Sequence, residues 1–274
     1  MSLQGFARPD GTTGARNVVL VLPSVVCSSH VAEQIAGHEA VAIGHPHGCG
    51  QVGADAAHAV EVFAGVAAHP NVAGVLVVGL GCETVQGADL AAEIGARGQR
   101  VELLTVQGSG GSRATVERGR EVVTRLLGKA ASHRRSDVAD AELVVGLDDP
   151  AAPFAPALRR LTAGTGGRLV EPEKGSGTLT HAELAARGAQ VLVSWCPVGE
   201  APRGFAICPV VAVAADDGEL AAMPDDFDLS GGASADVVAG EVLDLVRSVF
   251  CGEPSASERR GAREFELRRL TRSM

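Results

Sequence analysis

Short β-rich apolar runs alternate along the chain with longer stretches of helical spacing. Residues 17–25 (NVVLVLPSV) are nearly continuous in apolar side chains, as a strand buried on both faces of a parallel sheet requires. Residues 72–78 (VAGVLVV) and 101–106 read the same way, and 40–43 reads as a shorter strand. Between these strands, 28–36, 54–68, 89–97 and 113–127 have helical spacing, the second stopping before the breaker His69-Pro70-Asn71. The glycine turn at 108–112 (GSGGS) lies between a strand and a helix.

Residues 128–140 are polar and aperiodic, and a second alternation follows them. Strands are predicted at 142–147, 167–170, 190–194 and 210–214, and helices at 155–162, 179–187 and 235–249. A charged tail at 258–270 also reads as helical. This repetition predicts an α/β fold with doubly wound, mostly parallel, Rossmann-like sheets in two lobes, 1–138 and 139–274.

Composition narrows the class. With 274 residues, 46% of them hydrophobic, the chain holds one large domain or two ordinary ones. No apolar stretch reaches the roughly 18–20 residues of a membrane span, and residues 1–10 lack the apolar core of a signal peptide. The expectation is therefore a cytoplasmic protein with no membrane partner. A net charge of −9 argues against nucleic acid as a partner. The six cysteines contain no C-x-x-C pair, which excludes a zinc ribbon.

Four cysteines nevertheless share a position. Cys27, Cys49, Cys82 and Cys196 each follow the end of a predicted strand. In open parallel sheets that edge is where ligands bind. Cys49 lies in His45-Pro46-His47-Gly48-Cys49-Gly50, and Cys82 in Gly79-Leu80-Gly81-Cys82-Glu83. His45, His47, Cys27, Cys49, Cys82 and Glu83 together offer N, S and O donors suited to a divalent transition metal. Each also has a plainer reading. His45 suits a surface turn, Glu83 suits the first turn of a helix, and a single cysteine most often serves as a small buried hydrophobe. The backbone N–H groups of the GSGGS turn offer an anion site at Gly110, Gly111 and Ser112. A nucleotide-binding reading of that turn is weak, because the first strand runs into Pro23-Ser24-Val25-Val26-Cys27 and not into G-x-G-x-x-G.

These motifs, in this order, resemble the altronate/galactarate dehydratase family. The opening Gly5-Phe6-Ala7-Arg8-Pro9-Asp10-Gly11 with Gly14-Ala15-Arg16-Asn17 is similar to the start of that family's catalytic region. So is His47-Gly48-Cys49-Gly50, and the run from His69 to Glu83 is the most specific match. Gly110-Gly111-Ser112 resembles the family's GGT turn, and residues 204–214, 225–231 and 251–265 resemble its closing region. After Val144-Val145-Gly146-Leu147, long members carry a cysteine-glycine-glycine-serine-aspartate motif and a large insert. Here Asp148-Asp149-Pro150 follows directly.

The resemblance implies a metal-dependent lyase of the dehydratase type, acting on a small anionic hydroxy-carboxylate such as a sugar acid. Its metal would be iron, with manganese or zinc as alternatives. A base removes the proton alpha to the carboxylate, and positive charge is needed at the developing oxyanion. His47 and Lys174 are the candidate bases, with Glu83 beside them. A lysine base needs a depressed pKa, which adjacent Glu173 opposes, so His47 is favoured. Arg8, Asp10, Arg16, Asn17 and Glu171 are the further substrate-binding candidates. Two alternatives stand beside this reading. One is a non-catalytic or regulatory acid-binding relative; the other is a sulfo-lyase subunit acting on sulfolactate with a small partner chain. A homo-oligomer is expected in each case.

Overall fold

The computed structural model describes residues 2–172 and 179–270. Two short strands open the chain, β1 (Leu3–Ala7) and β2 (Thr13–Gly14). Then come β3 (Val18–Pro23), α1 (Ser29–Ala36), β4 (Val41–Ala42), α2 (Gly53–Ala67), β5 (Val72–Gly79), α3 (Gly87–Ala96), β6 (Val101–Thr105) and α4 (Ser112–Ala130). The remainder is β7 (Ser136–Val138), β8 (Val144–Leu147), α5 (Ala155–Gly164), β9 (Arg168–Val170), α6 (His181–Ala186), β10 (Val191–Cys196), β11 (Val210–Ala214), α7 (Asp217–Ala222), β12 (Leu229–Ser230), α8 (Ala235–Phe250) and α9 (Ala256–Arg260).

The chain forms two compact units. The first comprises Asn17–Arg134 and the chain's end from Phe265. Its four strands run parallel in the order β4-β3-β5-β6. Val19, Val21, Leu76 and Val78 pack with α1 and α4 on one face. The alternate residues Leu20, Leu22, Val75 and Val77 are equally sealed, on the face that α2 and α3 cover. Gly119 lets α4 lie close to α1, since a Cβ there would stand 2.5 Å from Ile35 Cδ1. The order reverses between β3 and β5. Their carboxyl ends therefore diverge into loops that leave a crevice, the position where doubly wound sheets hold ligands.

The second unit comprises the first sixteen residues and Arg135–Glu264. Its parallel sheet has the order β9-β8-β10-β11-β12, again reversing between the first and third strands of its own sequence. An antiparallel sheet, β2-β1-β7, belongs to the same unit. Arg135 ties it down by donating to the carbonyls of Gln4, Ala15 and Phe250, with its guanidinium 4.6 Å over the Phe6 ring.

The expected fold class is present, but the lobes do not divide at 138/139 alone. The amino-terminal strands belong with the second half of the chain and the carboxyl-terminal tail with the first. The stretch read as a polar boundary contributes β7, whose partner β1 is distant in sequence. The tail is also less helical than its charge pattern predicts. Ser255 and Glu258 form a reciprocal cap on α9, which stops at Arg260 before the left-handed Gly261 (φ 70°). No helix among the described residues is long and apolar enough to cross a membrane.

Candidate active site

The loops after all four strands of the first sheet are bound to one another. Val26 N–H donates to His47 O at 2.7 Å, joining the Cys27 and Cys49 loops. Thr84 Oγ1 donates to Cys49 O at 3.1 Å, joining the second loop to the third. Gln107 N–H donates to Leu80 O at 3.1 Å, bringing in the fourth. Cys27, Cys49 and Cys82 are all exposed along this rim.

His45 is buried and anchors the loop from within. Its Nε2 meets Pro23 O at 2.8 Å, while Nδ1 accepts the His47 N–H at 3.2 Å. One nitrogen must donate and the other accept, so the neutral Nε2–H tautomer satisfies both. Burial, reinforced by the nearby His47, lowers its pKa to about 4. His45 therefore positions His47 and leaves neither nitrogen for a ligand, unlike the metal-ligand role expected of it.

His47 is held differently. Its ring stacks on His45 with centroids 5.5 Å apart, and Nδ1 lies 2.7 Å from Gln51 Nε2. Nε2 is buried and has no hydrogen-bond partner among the described residues. Partial burial lowers the pKa of His47, and the charges of Arg269 and His58 act in the same direction. The ring is thus held neutral, with one nitrogen braced and the other unused. Gln51 can offer either end of its amide to Nδ1. With its carbonyl there, Nδ1 carries the proton and Nε2 is a free base.

Glu83 turns inward. It accepts hydrogen bonds from Ser24 Oγ (2.9 Å), Gly81 N–H (2.5 Å) and Gly87 N–H (3.2 Å). Burial alone would raise its pKa, but these bonds outweigh burial and hold it below the usual value. Both oxygens accept protein donors and shape the β5–α3 turn, a structural part beside the catalytic and metal roles expected of Glu83.

The GSGGS turn is likewise closed on itself. The N–H groups of Gly108, Ser109, Gly110 and Gly111 donate to Thr105 Oγ1 and to the carbonyls of Thr105, Gln107 and Val106. Gly110 and Gly111 have φ of 87° and 110°, which explains the glycines without an anion. Ser112 begins α4.

Other expected substrate residues also serve structure. Asn17 Nδ2 donates to Ala130 O at the end of α4. Arg8, Asp10, Arg16 and Glu171 belong to the second unit. Arg16 grips both oxygens of Glu258 at 2.7 Å and donates to the carbonyls of Ala15, Val249 and Glu253. Arg8 donates to Arg16 O, and burial lowers its pKa to about 10. Asp10 closes a turn with Thr12, and Glu171 pairs through both oxygens with Arg159. Lys174 lies outside the described residues.

The donors do not fit a metal in this arrangement. His45 and Glu83 are spent on protein partners, and among the described residues no three His, Cys, Asp or Glu side chains converge as a metal site.

The sequence reading passed over Ser24, Gln51, His58, Phe63 and the tail. Phe265 stacks on Phe63 with centroids 5.7 Å apart and lies 6.2 Å from His45. Pattern could not place that tail, because it reaches the site only through packing. The second sheet carries a related cluster. Ser194 Oγ and the Trp195 N–H donate to Asp148, and His181 Nε2 lies 3.3 Å from the same carboxylate.

Similarity to known proteins agrees with this architecture. Residues 5–131 match the family profile described as D-galactarate dehydratase/Altronate hydrolase, second domain. The chain is 28% identical over 160 residues to the altronate dehydratase of Bacillus subtilis (strain 168), covering 53% of this chain and 31% of that one. It is 30% identical over 159 residues to the altronate dehydratase of Escherichia coli (strain K12), covering 53% and 32%. A shorter likeness, 38% over 78 residues, is to the (2R)-sulfolactate sulfo-lyase subunit beta of Chromohalobacter salexigens, covering 28% and 20%. The chain spans about a third of the length of the two altronate dehydratases. Over residues 5–131 the chain is thus similar to the second domain of the D-galactarate dehydratase/altronate hydrolase family.

Proposed function

We propose that the chain is a lyase of the dehydratase type acting on a sugar acid, with His47 as the base. The carrying observation is the buried, unpartnered Nε2 of a neutral imidazole on the carboxyl rim of a parallel sheet. A base needs a lone pair that is not already taken, and a neutral histidine can hold one near neutral pH. The relatives named altronate dehydratase support the substrate class.

In this reading Nε2 takes the proton alpha to the substrate carboxylate. The C–H electron pair becomes the Cα=Cβ bond as the β-hydroxyl departs, taking the proton from His47 to leave as water. The resulting enol tautomerises to a 2-keto acid. This requires the Gln51 amide to be turned so that Oε1, in place of the Nε2 that lies 2.7 Å from Nδ1, accepts from Nδ1–H and steadies the imidazolium while it exists.

A second reading is a relative that binds acids without turning them over. It is favoured by the commitment of Glu83, Arg16 and Glu171 to structural bonds. One experiment separates the two. Purified protein in D2O is given D-altronate, galactarate and sulfolactate, and α-deuteration, 2-keto acid and sulfite are measured. The lyase reading expects exchange and keto acid with at least one sugar acid, both lost in His47→Gln. Binding without exchange or product supports the second reading, and sulfite release would move the substrate to sulfolactate.

A further inference from the structure

We propose that the chain's own carboxyl-terminal segment completes a carboxylate-binding site beside His47, with Arg269 as its cationic anchor. This deepens the lyase reading and rests on it only for the identity of the acid.

The tail is pinned on both sides of Arg269. Upstream, Phe265 and Leu267 are buried, with the Phe265 ring against Phe63 and near His45. Downstream, Leu270 N–H donates at 2.6 Å to Asp55 Oδ1, on the first turn of α2. Phe63 belongs to that same helix, and its ring lies 6.3 Å from that of His47. Arg269 is thereby carried to the histidine loop by a segment with little freedom to leave it. Its side chain is exposed, and among the described residues it has no ion-pair partner.

The charge pattern then becomes informative. Arg269 and His58 both act on His47 as like charges. An arginine close to His47, with no carboxylate partner among the described residues, is a local positive charge that an anion relieves. The guanidinium fork matches the two oxygens of a carboxylate. Placed there, it also faces the charge that develops on those oxygens when the α-proton leaves, which is where a lyase needs a cation. Arg8 and Arg16 cannot take this part, because their donors are committed to backbone and to Glu258.

The test uses malonate, a dicarboxylate with no hydroxyl to eliminate, titrated calorimetrically into the full chain. Arg269→Gln should weaken malonate binding about tenfold or more, Arg269→Lys should recover part of the loss, and neither should move the thermal midpoint. With a substrate that turns over, Arg269→Gln should raise KM more than it lowers kcat. Unchanged malonate affinity in Arg269→Gln, or no malonate binding by the native chain, overturns the anchor. If malonate binds through Arg269 while no hydroxy-acid is exchanged or consumed, the lyase reading fails and the anchor stands. If keto acid forms and Arg269→Gln leaves KM unchanged, the anchor fails and the lyase reading stands.

Discussion

Ser24 donates its hydroxyl to Glu83 at 2.9 Å, linking the loops that follow the first and third strands of the four-stranded sheet. In the other unit Ser194 donates to Asp148 at 2.5 Å, between the corresponding strands of the second parallel sheet. In each case a serine–carboxylate pair ties together the two neighbouring strands between which the strand order reverses, with Ser194 inside β10 and Ser24 just past β3. The crevice at such a point is useful for binding but leaves loop ends with unmet polar groups. A buried carboxylate that collects N–H and O–H donors answers that need, and its presence at the rim is no sign of proton transfer.

Glu83→Ala should therefore cost stability first. It removes the acceptor for Ser24, Gly81 and Gly87, leaving buried donors unmet, with an expected loss of about 2–3 kcal/mol. The urea midpoint reads this. Glu83 is held below its ordinary pKa, so its contribution is present above that value and fades as pH falls through the folded one. A variant as stable as the native chain but without turnover would restore Glu83 to the chemistry.

Acid should weaken the fold through His45. The folded state keeps it neutral down to about 4, whereas the unfolded chain takes up a proton below about 6.5. Stability is thus lost as pH falls from about 6.5 to about 4, by about 3 kcal/mol in all, and this loss levels off below. The Cε1–H resonance of His45 should titrate near 4 in the folded protein; a midpoint near 6.5 would remove this account.

Gln51→Leu should lower turnover without lowering the thermal midpoint, because it removes the brace on Nδ1 while sparing the core. Gln51→Glu places a carboxylate at the same atom and favours the imidazolium. The acidic limb of the pH–rate profile should then move to higher pH. A profile unmoved by either change would separate Gln51 from the base.

Arg16→Lys should behave as a folding variant. A lysine cannot reproduce the fork on Glu258 together with three carbonyl contacts, so a loss of about 2–3 kcal/mol is expected. Malonate affinity, measured where the variant is folded, should match the native chain. Weaker binding in a fully folded variant would return Arg16 to the ligand.

Much of this protein was legible in the chain itself. Nearly continuous apolar runs at 18–23, 72–79 and 191–196, the last broken only by Ser194, announced buried parallel strands, because a strand covered on both faces needs no polar alternation. The placing of Cys27, Cys49 and Cys82 just beyond strand ends marked the rim, since chain order alone puts those residues at one edge of a parallel sheet. The hydrogen-bonding state of a polar side chain is not encoded locally. His45 and His47 are two residues apart in one turn, yet one is sealed against Pro23 O and the other keeps a nitrogen with no partner among the described residues. Glu83 and Arg16 look like chemistry in sequence and are bound as joints in the fold, with partners Ser24 and Glu258 far along the chain. The tail that brings Phe265 and Arg269 to His47 carries a helical charge pattern and is mostly not helical. Which surface an amphipathic segment covers is decided by the apolar area it buries there, and only the folded chain offers that surface.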